Sequence, residues 1–222
     1  LGTSRDFPHL PVELQKTRIS MKYGTDALMD LSTGGDIRKI RRAILKAAPV
    51  PLGTVPIYQA AIEHFSRPGS KVIVPTPAYM PLLSLPPTLG REVIEVPMTR
   101  TADGAGFRND LAAIERAFDA GGQLLALCNP HNPTGRVFTR DELVAIEDVV
   151  HRKGGRVFAD EIWMPLVFPG HAHIPYASIG ERAAAHTITG MAASKGFNLP
   201  GLKCAQLIVS NDADQAHWNA VG

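Results

Sequence analysis

Three short stretches of this 222-residue chain hold side chains able to do chemistry: residues 129–135 (NPHNPTG), 159–162 (ADEI) and 194–201 (SKGFNLPG). The amides of Asn129 and Asn132 both donate and accept hydrogen bonds. The carboxylates of Asp160 and Glu161 can hold a proton or a cation. The amine of Lys195 becomes a nucleophile where nearby cations and partial desolvation lower its pKa. Each stretch taken singly has an ordinary explanation. An Asn-Pro pair marks a turn, a strand-end aspartate caps the next helix, and a Ser-Lys pair arises by chance. Their order along the chain, and what precedes each of them, carries more.

Stepping outward, apolar runs end at two of these stretches. QLLALC (123–128) reads as a strand ending at the asparagine turn, and RVFAD (156–160) as a strand ending at the acidic pair. Further strands are read at KVIVP (71–75), EVIEVP (92–97), HTITG (186–190) and AQLIVS (205–210). Helical spacing appears at 37–48, with Ile37, Ile40, Ile44 and Leu45 on one face, at 55–65, and at 111–119. Thr139 is placed to cap a helix whose apolar side holds Leu143, Ile146 and Val150. Residues 1–30 read as polar and irregular. Alternating strands and helices predict an α/β doubly wound fold with a mainly parallel sheet, in which ligands bind at the carboxyl ends of the strands. Asn129–Asn132 and Asp160–Glu161 lie at such ends before any family is considered.

The three motifs in this order and spacing resemble the fold-type I pyridoxal-phosphate (PLP) enzymes, the aminotransferase class I/II family, over most of residues 53–210. The resemblance implies an aspartate-aminotransferase-like large domain, with the sheet flanked by helices and a cofactor held as a Schiff base on Lys195. It puts Asp160 beside the pyridine nitrogen, where a carboxylate keeps the ring protonated. It puts Asn132 on the ring's 3-oxygen and Tyr79 of TPAY on the ring face. Gly53, Thr54 and Val55 resemble the phosphate cup at a helix start. The resemblance implies Ser194 and Lys203 as further phosphate contacts. Ala192 stands where relatives often have a hydroxyl, which leaves more of the phosphate charge to a cation.

Within that family, PTPAYMP, CNPHNPTGRVFTRDEL, DEIWMPLVFPG, HIPYASI and ASKGFNLPGLKCA look closest to the MalY/PatB type, the cystathionine β-lyase-like carbon–sulfur lyases; SMKYG (20–24) resembles that group's start. The implied function is β-elimination from a sulfur amino acid. The alternatives are transamination of a similar amino acid and, from another class, a PLP-fold regulatory or binding module without turnover. Trp163 departs from the pattern, because lyases of this type usually have histidine there and many aminotransferases tyrosine. No catalytic role is assigned to it. Residues 26–52 depart too. They lack the Tyr-Gly-Tyr segment of the family and read as if pieces were joined. The division expected is therefore an irregular, discontinuous N-terminal segment at 1–52 and an incomplete PLP-binding domain at 53–222. The small domain that carries the substrate-gripping arginine is expected outside these residues.

Composition sets the remaining bounds. Twenty-three basic against 21 acidic residues leave a formal charge of +2, too little to imply nucleic acid. The basic run RKIRRAILK (38–46) reads as a solvated helix face. No apolar run is long enough to span a membrane. Cys128 and Cys204 sit in apolar stretches as free thiols, without disulfide or metal spacing, which fits a cytoplasmic location. Since fold-type I sites form at a two-fold interface, a homodimer is expected.

Overall fold

The computed structural model describes residues 1–3, 6–25, 28–30, 32, 34–50, 52–53, 56–102, 104, 106–198 and 205–221. The chain opens with α1 (Leu10–Lys22), β1 (Leu28–Met29), α2 (Ile37–Ala47) and β2 (Leu52–Gly53). Strands β1 and β2 pair in parallel and form a small sheet of their own. Asp36 caps α2 by accepting from the Lys39 N–H at 2.9 Å. Ile40 and Ile44 of α2 are buried with Leu28 and Ala48, and Leu1, Leu10, Leu14 and Met21 pack against them. Arg38, Lys39, Arg42 and Lys46 are exposed, as a solvated face requires. Leu45, expected on the apolar face, points outward instead. The reading of residues 1–30 as irregular is corrected by α1. Its apolar residues are too sparse for a helical stripe, and Glu13 and Thr17 are its buried positions. Buried Asp30 accepts from Ser32 and from Arg41 Nε at 2.9 Å, which ties β1 to α2.

Next come α3 (Pro56–Phe65), β3 (Lys71–Thr76), α4 (Met80–Thr88), β4 (Glu92–Pro97), the short hairpin β5 (Thr99–Arg100) and β6 (Phe107–Arg108), α5 (Leu111–Asp119) and β7 (Gly122–Cys128). They are followed by α6 (Arg140–Arg152), β8 (Arg156–Asp160), a 3-10 turn (Tyr176–Ile179), α7 (Glu181–His186), β9 (Thr187–Ala192), α8 (Ala193–Gly196), β10 (Ala205–Val209) and α9 (Asp212–Val221). Six strands make the main sheet in the order β10-β9-β8-β7-β3-β4; every pair is parallel except β9 with β10. The α/β reading with a mainly parallel sheet is what the structure shows.

Strand residues alternate between two cores. Ile73, Leu125, Leu127, Val157 and Ala159 face α5 and α6. Val72, Val74, Leu124, Ala126, Cys128 and Phe158 face α3 and α4. Burial on both faces explains the continuous apolar runs of β3, β7 and β8. Thr139 forms a full capping box with Glu142 at the start of α6, and Leu143, Ile146 and Val150 are buried beneath it, as their spacing predicts. Helix α4 escapes a sequence reading because Pro81, Pro86 and Pro87 interrupt its pattern: Pro81 is tolerated in the first turn, whereas Pro86 and Pro87 lie inside the helix near its end. No helix among the described residues is long and apolar enough to cross a membrane.

Candidate active site

Four neighbouring strands of the main sheet deliver the candidate residues at their carboxyl ends. Tyr79 follows β3, Asn132 follows β7, Asp160 ends β8, and Lys195 lies in α8 directly after β9. The register sets Cys128 opposite Asp160 and Asp160 opposite Gly190, one row across three strands. Asp160 stands two residues after Phe158 in β8 and so shares its face, the one covered by α3. A side chain at Gly190 would meet Phe158 Cζ at 2.8 Å and Ile57 Cδ1 at 3.2 Å. Glycine there lets α3 approach the end of β8.

Asp160 is 3% exposed. Its Oδ2 accepts from the Tyr58 hydroxyl at 2.9 Å, and its Oδ1 from the Ile162 N–H at 3.3 Å. No ion pair joins it to a basic side chain among the described residues. Burial pushes its pKa up to about 6, against the opposing pull of the Tyr58 hydrogen bond. The same burial raises Tyr58, Tyr79 and Cys128, each next to the Asp160 charge. The Tyr58 ring sits edge-on to Phe158 (centroids 5.7 Å, 83°) and 6.1 Å from Tyr79. The structure therefore brings Tyr58, Tyr79, Cys128 and Asp160 together. Sequence reasoning treated 55–65 only as a helix and missed Tyr58. No local signal marks it, since its role depends on where α3 docks.

The turn after β7 is closed by Gly135 N–H donating to the His131 carbonyl at 2.7 Å, with Gly135 in the left-handed region. Burial lowers the His131 pKa to about 4. Asn132 donates its backbone N–H to Cys128 Sγ at 3.4 Å, and with Pro130, Trp163, Leu166 and Phe168 it lines a cleft of about 390 Å³. Lys195 is exposed, with Nζ 5.2 Å from the centroid of the Trp163 ring. Pro165 presses on Gly196, where a Cβ would meet it at 2.6 Å. The segment after Asp160 thus packs directly on α8. Ser194 is half-buried in α8, and Gly53 ends β2. Thr54, Val55, Lys203 and Cys204 lie outside the described residues.

A buried carboxylate without a cationic partner is costly. A cationic ring nitrogen at the end of β8 would supply the counter-charge that Asp160 lacks among the described residues. An amine, an amide and an aromatic ring lie at the adjoining strand ends. That donor set fits a PLP ring.

The aminotransferase class I and II profile matches residues 47–220. The chain belongs to the aminotransferase class I and II family. Over 158 residues it is 43% identical to cystathionine β-lyase of Corynebacterium glutamicum, covering 71% of this chain and 40% of that protein. Crystalline cystalysin of Treponema denticola, which contains a pyridoxal 5'-phosphate cofactor, superposes with a TM-score of 0.69 at 34% identity, over 73% of this chain and 41% of the other. The chain spans about two fifths of the length of these relatives. A second profile, the radical SAM ThiC family, matches residues 1–79. Phosphomethylpyrimidine synthase of Thermoanaerobacter sp. is 53% identical over 75 residues, 34% of this chain and 17% of that protein. Residues 20–24, read above as the start of a lyase, lie in the stretch that the ThiC profile matches.

Proposed function

We propose that this chain carries the cofactor-binding part of a PLP-dependent carbon–sulfur β-lyase acting on a sulfur amino acid. The observation that carries the reading is buried Asp160, which has no cationic partner among the described residues, at the strand end beside the Lys195 segment. The likeness to cystathionine β-lyase supports the choice of reaction. When bound, PLP supplies an electron sink for a carbanion at the amino-acid α-carbon. Asp160 would hold a proton on the ring nitrogen, Asn132 would donate to the 3-oxygen, and Tyr79 would cover the ring face. Lys195 would hold the aldehyde carbon and carry the α-proton away. Gly53, Thr54, Val55, Ser194 and Lys203 would share the phosphate. Transamination is the second reading, favoured by the family to which the chain belongs. Both reactions begin with removal of the same proton by Lys195.

Residues 1–52 are proposed to be a segment of separate affinity, because they fall within the second profile; their two-stranded sheet reaches one residue further, to Gly53. A cytoplasmic homodimer is proposed for the whole protein, from the free thiol of Cys128 and the family's two-fold sites. Product analysis with L-cystathionine and 2-oxoglutarate tests the function. Pyruvate with homocysteine supports the lyase, glutamate supports the transaminase, and no product with PLP bound removes both. An absorbance band formed with PLP and lost in Lys195→Ala tests the attachment point.

A further inference from the structure

Tyr58 belongs to no motif, yet its hydroxyl makes the shorter of the two hydrogen bonds to Asp160, 2.9 Å against 3.3 Å from the Ile162 N–H. It reaches the carboxylate from the face of the sheet that α3 covers, over a path built for it. Gly190 leaves room for Ile57 and Phe158, and Phe158 meets the Tyr58 ring edge-on. Tyr58 is 4% exposed, so the hydroxyl has little solvent as an alternative partner.

We propose that Tyr58 is a positioning residue for Asp160: its hydroxyl fixes Oδ2 and so sets which way the carboxylate presents its other oxygen to the site. That the site is a PLP site rests on the function proposed above; the Tyr58 role does not.

A buried carboxylate whose Oδ2 is held by a single neutral hydroxyl can rotate or take up a proton when that hydroxyl is removed. Among the described residues, the titratable groups around Asp160 are Tyr58 on α3, Tyr79 at the start of α4, Cys128 at the end of β7 and the adjoining Glu161. None is basic. Among the described residues, only Tyr58 donates to it through a side-chain hydroxyl at a normal hydrogen-bond distance. Its loss therefore leaves the backbone N–H of Ile162, since the Cys128 thiol donates to the Pro130 carbonyl at 3.3 Å.

The test uses the full chain and Tyr58→Phe, which keeps the ring and removes the hydroxyl. In cofactor-free protein with carboxyl-labelled aspartate, the Asp160 resonance should titrate at higher pH in Tyr58→Phe than in the parent. An unchanged midpoint overturns the proposal. In the parent the Tyr58 hydroxyl proton should resonate downfield and shift with the Asp160 midpoint. This measurement does not require the variant to fold, and a hydroxyl proton insensitive to that titration also overturns the proposal. With PLP, Tyr58→Phe should weaken the dissociation constant about tenfold, the effect of one hydrogen bond to a charged group. The same substitution in an Asp160→Asn background should change it little. Equal losses in both backgrounds reduce Tyr58 to packing and refute the proposal. If the parent binds no PLP while the Asp160 midpoint still moves, the cofactor reading fails and the Tyr58 role stands.

Discussion

Asp160→Asn should change the pH dependence of stability of the cofactor-free protein in a direction that most carboxylate substitutions do not. The Asp160 pKa is raised from 3.8 to about 6 in the folded chain, mainly by burial. A raised carboxylate pKa means that the folded state prefers the protonated form. The contribution of Asp160 is therefore most favourable below its unfolded pKa and is lost as pH rises through about 6. A difference of about two pH units at about 1.4 kcal/mol each gives a maximum near 3 kcal/mol. Roughly 2 kcal/mol of that falls between pH 4 and pH 8. Asparagine is neutral throughout, and its carbonyl can still accept from Tyr58. Urea unfolding of parent and variant across this range should show the variant gaining about 2 kcal/mol on the parent by pH 8. Other titrating groups cancel in the difference. Parallel curves for the two proteins would refute the burial argument.

Three further outcomes are expected. His186 is buried against the Tyr176 hydroxyl (3.1 Å) with its pKa lowered to about 4, so its contribution is fully present above pH 6.5 and lost as pH falls toward 4. His186→Gln should flatten that acid limb by up to about 3 kcal/mol in urea unfolding, and an unchanged limb contradicts the assignment. Gly190→Ala should destabilise by about 1–3 kcal/mol, because its Cβ meets Phe158 and Ile57, and should also weaken PLP binding by moving α3 and Tyr58; calorimetry and cofactor titration read the two effects separately. Lys203→Ala should raise the PLP dissociation constant about tenfold by removing a phosphate cation, with the Lys195 absorbance band retained at saturating cofactor, and an unchanged constant removes Lys203 from the site.

The ordering of motifs was legible without coordinates because it depends on local chemistry. Apolar runs such as QLLALC and RVFAD must be strands buried on both faces, and polar turns must follow them. The Thr139 cap follows from its hydroxyl before an apolar stripe, and the Leu143, Ile146 and Val150 stripe from helical period; the structure has both. Helix α1 was not legible, since its stripe is weak and its buried positions are Glu13 and Thr17. Helix α4 was hidden by its prolines.

What the chain by itself determined was that an amide and a carboxylate stand at successive strand ends, with a lysine further along the chain. What only the tertiary structure decided was who meets them. Tyr58 reaches Asp160 across 102 residues of sequence, and Trp163 lies beneath Lys195 because Pro165 packs on Gly196. The physical reason is range. Periodicity and capping act over a few residues, whereas the charge state of a buried carboxylate depends on which helix covers it, and that is fixed only when the layers pack.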